Sequence, residues 1–397
     1  MTEASYDVVI AGTGVGGLYC ALNLDRGKRI LMLTKARVEE CDSFLAQGGI
    51  CVLKSEDDYD SYFEDTMRAG HYENNKKSVD TMIRNSRKTI DSLISYGVDF
   101  ERNGDGSLKF TKEGAHSTPR ILFHQDITGK EITSKLLAAV RRLPNVEILE
   151  MTEMTDIVVE DGVCAGILAR NLESGEEFRF LSRDVVWATG GIGGMYEHST
   201  NFPHLTGDAL SIAKRHGIPV IHEDYVQIHP TTLYVERADG KKERSFLISE
   251  SVRGEGGILL GKNMERFVDE LLPRDKVTEA IKAQMEKDGT KHVWLSMRKI
   301  DPVVIKTHFE HIYERCLEEG IDCTKDLVPV VPAQHYFMGG VAVDDDSMTS
   351  MQHLYAVGET SCNGVHGRNR LASNSLLESL VFAEIAANKI NMEGERK

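Results

Sequence analysis

Across 397 residues no apolar run approaches the roughly 20 residues that a membrane-spanning helix needs, so no span is expected. No signal peptide is expected either, since Asp7 and an apolar strand follow the start so closely. The seven cysteines, Cys20, Cys41, Cys51, Cys164, Cys316, Cys323 and Cys362, form no C-x-x-C pair and no metal-ligand spacing. An odd number scattered over a chain this long reads as reduced thiols in a cytoplasmic protein, with no metal. Basic charge is short: 47 Lys and Arg face 62 Asp and Glu, a net charge of −15. That argues against a nucleic-acid surface, although local arginines and histidines can still receive an anionic substrate. Repeats and low-complexity tracts are absent. What is present is ordinary for a globular chain, 41% hydrophobic and 27% charged. The length suits two domains, or one with a large insertion.

Residues 6–24 organise the rest. Val8, Val9, Ile10 and Ala11 form the short apolar run of a parallel strand buried on both faces. The turn Gly12-Thr13-Gly14-Val15-Gly16-Gly17 fits G-x-G-x-x-G, and residues 18–24 continue at helical spacing. Gly12 permits the tight turn, Gly14 lets backbone approach a pyrophosphate, and Gly17 lets the helix pack close to the strand. The phosphates then sit on unpaired N–H groups at the helix start. A second strand, residues 29–33, ends at Thr34-Lys35 without the acidic residue that usually holds the ribose. Thr34 could bond a hydroxyl, and Lys35 with Arg37 could face a phosphate, so this motif leaves the dinucleotide open.

Residues 42–50 carry Ser43, Ala46, Gln47, Gly48 and Gly49, a loop suited to offering N–H groups to the edge of a flavin ring. Helices are expected over 58–67, 76–96 and 128–143, and a strand meander over 146–149, 156–160 and 166–169. Glu113, His116 and Arg120 share one short loop that reads equally as a solvated turn or a functional one. Ala188-Thr189-Gly190 is a second strand breaking into glycines, as expected if the first domain is re-entered. Asp208 opens a helix, where it could bond a ribose or cap the helix. From about residue 223 the composition changes, with Gln227, His229, Ser249, Glu250, Arg253 and Glu255. Arg274 stands at the N-terminal end of a helix, where the dipole favours anions, a mild hint of function; helices are expected to continue to residue 317. His335 precedes a glycine pair, a strand runs into Glu359, and Arg370 leads to Ser375, Leu376 and Glu378. Ser375 with Glu378 matches a capping box, and that helix start could stabilise negative charge on a reduced flavin.

These segments together resemble the succinate dehydrogenase/fumarate reductase flavoprotein family over nearly the whole chain. The residues that carry the resemblance are Gly12-x-Gly14-x-x-Gly17, Ser43-Phe-Leu-Ala-Gln-Gly-Gly, Ala188-Thr-Gly-Gly, Gln227-x-His229-Pro-Thr, Arg253-Gly-Glu-Gly, Pro273-Arg274-Asp275 and His335-Tyr-x-x-Gly-Gly. Gly358-Glu359 and His366-Gly-x-Asn-Arg370-x-Ala-Ser-Asn-Ser-Leu-Leu-Glu378 complete the set. The resemblance implies an α/β fold: a Rossmann-like FAD-binding domain from residues 1–222 and 335–397, with an inserted α+β capping domain at 223–334. Members usually carry a further C-terminal helical domain, expected to be absent here because the chain stops at Lys397. Respiratory members attach flavin covalently through a histidine where this chain has Asp42, so FAD is expected to be non-covalent.

The segment around Thr111, Glu113 and Arg120 resembles the branch of the family that oxidises L-aspartate, as does Thr34-Lys35, which removes most of the reading in which Lys35 and Arg37 face the extra phosphate of NADP. By that resemblance His229, His335 and Arg370 hold substrate carboxylates, Arg370 by a bidentate fork and the histidines by charge-assisted bonds. Ser249 supplies a hydroxyl, Glu113 receives the amino group, and Arg274 moves the proton. The implied reaction gives iminoaspartate, with oxygen or fumarate reoxidising FAD and a quinolinate-forming enzyme as a partner. The alternatives are a soluble fumarate reductase or succinate-oxidising enzyme, which Glu113 argues against, and a flavin-binding redox protein without turnover.

Overall fold

The computed structural model describes residues 2–236 and 244–394. At the centre of a seven-stranded sheet lies Thr2–Ala11, parallel to Ile30–Leu33 on one side and Glu177–Trp187 on the other. Val8 and Ile10 enter one hydrophobic cluster, Val9 and Ala11 another. This is the period-two alternation of a strand covered on both faces, and it accounts for the unbroken apolar run. Val146–Leu149 extends the parallel edge. Glu177–Trp187 changes partner along its length. Its first half pairs antiparallel with Val163–Asn171, and its last residues pair in parallel with Leu354–Ala356. A hairpin and a strand from far along the chain thus share one neighbour, which brings Glu359 back beside the first glycine turn.

Helices Lys76–Ser95 and Thr128–Val140 lie within a few residues of their expected bounds. Val146–Leu149 leaves the expected meander to pair in parallel with Ile30–Leu33, and three more elements differ. The first strand reaches back to Thr2 because Thr2–Tyr6 find a ladder partner in residues 178–182, which the apolar pattern does not reveal. The region expected to stay helical to residue 317 contains the strand Val293–Ser296, after Gly289 ends the helix Arg274–Asp288 at φ +62°. Val293 and Leu295 are buried there, a pattern that suits a strand better than a helix. The third is the capping box. Ser375 is itself the first residue of the helix Ser375–Gly394, its hydroxyl accepts from Arg370, and the Glu378 carboxylate is held by Asn363 and Ser379.

A second sheet is antiparallel throughout, in the order Val226–Leu233, Leu327–Phe337, Val293–Ser296, Ile258–Leu260. It has its own hydrophobic cluster, including Ile248, Val277, Ile281 and Phe309. A small sheet, Gly340–Ala342 between Val220–Ile221 and Ser361–Cys362, joins the chain on either side of this layer. Among the described residues no helix is long and apolar enough to cross a membrane, and all seven cysteines are free.

Candidate active site

A cleft of about 1580 Å3, its open mouth included, runs from the C-terminal ends of the parallel strands to the second sheet. That is the end of an open α/β sheet where ligands bind. Every residue expected on the cofactor lines it except Gly17. Gly17 stands behind the turn, where a Cβ would lie 2.2 Å from the Gly12 carbonyl oxygen, so its role is packing of helix Val15–Asn23 on the strand. Gly12 has φ +119° and a Cβ there would meet Ala188 O at 1.9 Å. Gly14 faces open space apart from Ser43 Oγ at 3.1 Å. Thr13 Oγ1 and Gln47 Oε1 are buried in the cleft wall without a protein partner. A bare glycine cradle at a helix N-terminus, with two polar atoms left over, fits a dinucleotide such as FAD. Gly12→Ala is expected to lower flavin content at least ~10-fold on purification, because the methyl must displace the Ala188 strand end; absorbance at the flavin band against protein reads this out.

Two details of the cofactor end differ from the sequence reading. Lys35 donates to Asp208 at 2.6 Å and to Thr206 at 3.0 Å, so its charge is matched inside the protein, and the phosphate-facing alternative falls away. Asp208 is thereby an ion-pair partner and not a cap: the cap position is Gly207, which makes no side-chain bond. The expected loop at 42–50 begins as a helical turn, Asp42–Leu45, and Ser43 Oγ accepts the Val15 N–H at 3.1 Å. Asp42 accepts from Phe202 N at 3.0 Å, and burial pushes its carboxyl up to about 7. Glu359 accepts from Phe337 N at 2.8 Å and is pushed by burial to about 8.

The far end of the cleft collects Glu113, His229, Ser249, Arg274, His335 and Arg370. Two irregularities in one strand pair deliver both histidines. Gln227 pairs with Tyr336 and Ile228 with Gln334, so His335 is the extra residue of a bulge. His229 pairs with Ala333 and Thr232 with Val331, a second bulge at Pro230-Thr231, where proline has no N–H to give. Bulges re-aim side chains, and here the two imidazoles meet with ring centroids 5.1 Å apart. His229 Nε2 is buried without a partner, while Nδ1 is engaged by the Thr231 backbone. His335 Nδ1 pairs with Thr200 Oγ1 at 2.7 Å. Burial, reinforced by Arg274, holds both histidines well below their ordinary pKa. They are therefore neutral, and a bond from either N–H to a carboxylate is charge-assisted through the acceptor alone.

Arg274 Nε donates to Glu250 at 2.6 Å and Nη1 to Gln227 Oε1 at 2.7 Å. Arg370 donates to Ser375 Oγ at 2.7 Å and to the same Gln227 oxygen at 3.2 Å, and stacks on Tyr336 at 4.4 Å. Burial, then Arg274, draws Arg370 down to about 10. Glu250 faces Arg253 at 3.7 Å on its other side. Burial pushes Glu250 up, but the two arginines outweigh it and hold it charged. Arg253 thus pairs with Glu250 and donates to Glu270 O at 2.6 Å. Glu113 accepts from Ser251 at 2.9 Å and Ser373 at 2.6 Å, has no ion-pair partner among the described residues, and is raised by burial and by Glu250. Ser249 caps the helix Glu250–Gly254 and donates to Ser251 at 3.2 Å, so it reaches Glu113 through a second hydroxyl.

The other members of the Glu113 loop go elsewhere. Arg120 is fully buried against Asp58 and Asp65, and His116 contacts Arg120 and Ala372 O. Sequence reasoning assigned no role to Gln227, Glu250, Ser251 or Ser373. Gln227 had a signal, since residues 227 and 229 share one face of a strand; the serines had none. Outside the cleft, Asp184, His353 and Glu393 come close enough to hold a metal ion. Arg183 and Lys389 already neutralise those carboxylates, so the group reads as an ion-pair network.

A family model described as an FAD binding domain matches residues 7–376. Over 385 residues the chain is 49% identical to an L-aspartate oxidase of Clostridium acetobutylicum, covering 97% of this chain and 88% of that one. An L-aspartate oxidase of Neisseria meningitidis is 40% identical over 396 residues, 98% of this chain and 78% of that one. Among solved structures, a variant of the E. coli quinol fumarate reductase superposes with a TM-score of 0.92 at 29% identity, covering 100% of this chain and 71% of that one. Glycine cradle, paired arginines and buried glutamate thus lie in a chain that belongs to the L-aspartate oxidase family of FAD-binding flavoproteins.

Proposed function

We propose that the chain oxidises L-aspartate to iminoaspartate. Bound in the cleft, FAD supplies the two-electron acceptor for the hydride leaving Cα, and fumarate or oxygen reoxidises it. The observation that carries the reading is the charge pattern at the far end of the cleft. Two arginines and two histidine N–H groups suit two carboxylates, and Glu113, a buried carboxyl without a cationic partner, suits an ammonium group. Succinate has no group for Glu113.

Arg370 holds one carboxylate, with Tyr336 behind its plane and Ser375 fixing one nitrogen. His229 and His335 offer the remaining donors from the two bulges. Arg274 keeps Nη2 free of protein partners among the described residues while Glu250 and Gln227 occupy Nε and Nη1. As Arg274 hands its Nε proton to the charged Glu250, it takes up the proton that the substrate ammonium group loses, so its own charge is unchanged and Glu250 becomes neutral beside Arg253. The buried wall excludes water, which strengthens each of these interactions. The division into an FAD-binding part at 1–222 and 335–397 and a capping part at 223–334 is supported by the separate core of the second sheet, although strand Leu327–Phe337 crosses the boundary. Asp42 supports non-covalent FAD. The free cysteines suit a cytoplasmic setting. The imine product hydrolyses in water, which favours prompt use by a quinolinate-forming partner.

Anaerobic addition of L-aspartate should bleach the flavin band, whereas D-aspartate and succinate should not. A protein reoxidised by fumarate after chemical reduction, and never bleached by aspartate, would instead be a soluble fumarate reductase. Glu113→Gln is expected to raise KM for L-aspartate about 10- to 100-fold, the worth of a hydrogen bond to a charged group. Succinate affinity, read from the flavin spectrum, should change less than about 3-fold in the same variant.

A further inference from the structure

The geometry points to Gln227 as a positioning residue that sets the separation of Arg274 and Arg370 across the seam between the second sheet and the segment 369–370. Its side chain is buried and every bond it can make is made. Oε1 accepts from Arg274 Nη1 at 2.7 Å and Arg370 Nη2 at 3.2 Å. Nε2 donates to Asn369 Oδ1 at 2.8 Å and Arg370 O at 2.8 Å. Two donors face the oxygen and two acceptors face the nitrogen, so a flipped amide would lose all four bonds. The circuit closes on itself, because Asn369 Nδ2 donates to Asp275 Oδ1 at 3.3 Å, next to Arg274. Two guanidinium groups repel, and one neutral carbonyl oxygen between them fixes their spacing while leaving both charges for substrate. Glutamate would satisfy the arginines but neutralise part of the field meant for the carboxylates, and would oppose the two acceptors at Nε2. Leucine would leave the pair with no shared acceptor.

This rests on the proposed reading of Arg274 and Arg370, and the test separates the two. Flavin content, thermal midpoint, succinate Kd from the flavin spectrum, and the pH dependence of anaerobic bleaching are measured for the parent, Gln227→Leu and Gln227→Glu. Gln227→Leu should retain flavin, bleach about 100-fold more slowly and bind succinate about 10-fold more weakly, the scale of effect of misplacing reacting groups by an ångström. Gln227→Glu should move the rising limb of the pH–rate profile upward by about one unit, since an added anion stabilises charged arginine. A packing role would lower the thermal midpoint without moving that limb. Rates and succinate affinity within about 3-fold of the parent, with an unmoved limb, overturn the proposal. If Gln227→Leu does not hold flavin, Gln227→Glu decides alone. If L-aspartate fails to bleach the parent, the substrate reading falls and succinate binding in the two variants judges Gln227. A parent flavin spectrum indifferent to succinate overturns both.

Discussion

Arg274→Lys is expected to slow anaerobic bleaching by L-aspartate at least ~1000-fold with flavin still bound, within the range attributed to a positioned acid–base group. Lysine keeps the charge but not the fork. Arg274 uses Nε for Glu250 and Nη1 for Gln227 while presenting a third nitrogen to the cleft, and one ammonium on a flexible stem cannot do all three. Leucine is the harsher variant. It also strips Glu250 of its 2.6 Å partner and leaves that buried carboxylate with Arg253 alone, so a fall in thermal midpoint accompanies the kinetic loss. Stopped-flow absorbance at the flavin band separates the two effects. A lysine variant within about 10-fold of the parent would remove Arg274 from the proton-moving role.

Arg120→Met should cost about 3–5 kcal/mol of stability at neutral pH, because the guanidinium that pairs two buried carboxylates is gone. For a chain of this length that corresponds to a fall of roughly 5 °C in thermal midpoint. The pH dependence has a definite sign. Burial pushes Asp58 and Asp65 up, but hydrogen bonds from Arg120, Ser117 and Thr118 win, and both are held below the ordinary carboxylate range. Carboxyls with depressed pKa stabilise the fold above their unfolded value near ~3.9, and that contribution is lost as pH falls through the folded pKa. The deficit of the variant should therefore be largest near neutrality and shrink in acid, where Asp58 and Asp65 take up protons. Urea melts at about pH 7 and about pH 3 check this, and a pH-independent deficit would contradict it. FAD content should follow stability and not precede it, since Arg120 supports the Glu113 loop from behind and does not line the cleft.

Much of the cofactor end was legible because its constraints are local. A glycine at φ +119° against a neighbouring strand end, or an apolar run ending in glycines, leaves a mark within a few residues. The substrate end was legible only as residues without a geometry. His229 and His335 are about a hundred positions apart, and nothing in either segment announces the bulges that turn them toward each other. Their neutral state follows from burial, reinforced by Arg274, which reaches them from another element. The capping box failed for the same reason: Ser375 and Glu378 have the right spacing, but Arg370, Asn363 and Ser379 compete for their side chains.

The amino-acid sequence by itself determined the parallel strand, the glycine turn and the inventory of charged groups near the reaction. Tertiary structure alone decided that one amide oxygen would be shared by Arg274 and Arg370, that Glu113 would be held by two serines, and that Lys35 would be spent on Asp208. The physical reason is range. Backbone conformation is set by neighbours along the chain, whereas the charge state and hydrogen-bond partner of a buried group depend on whichever distant groups the fold packs against it.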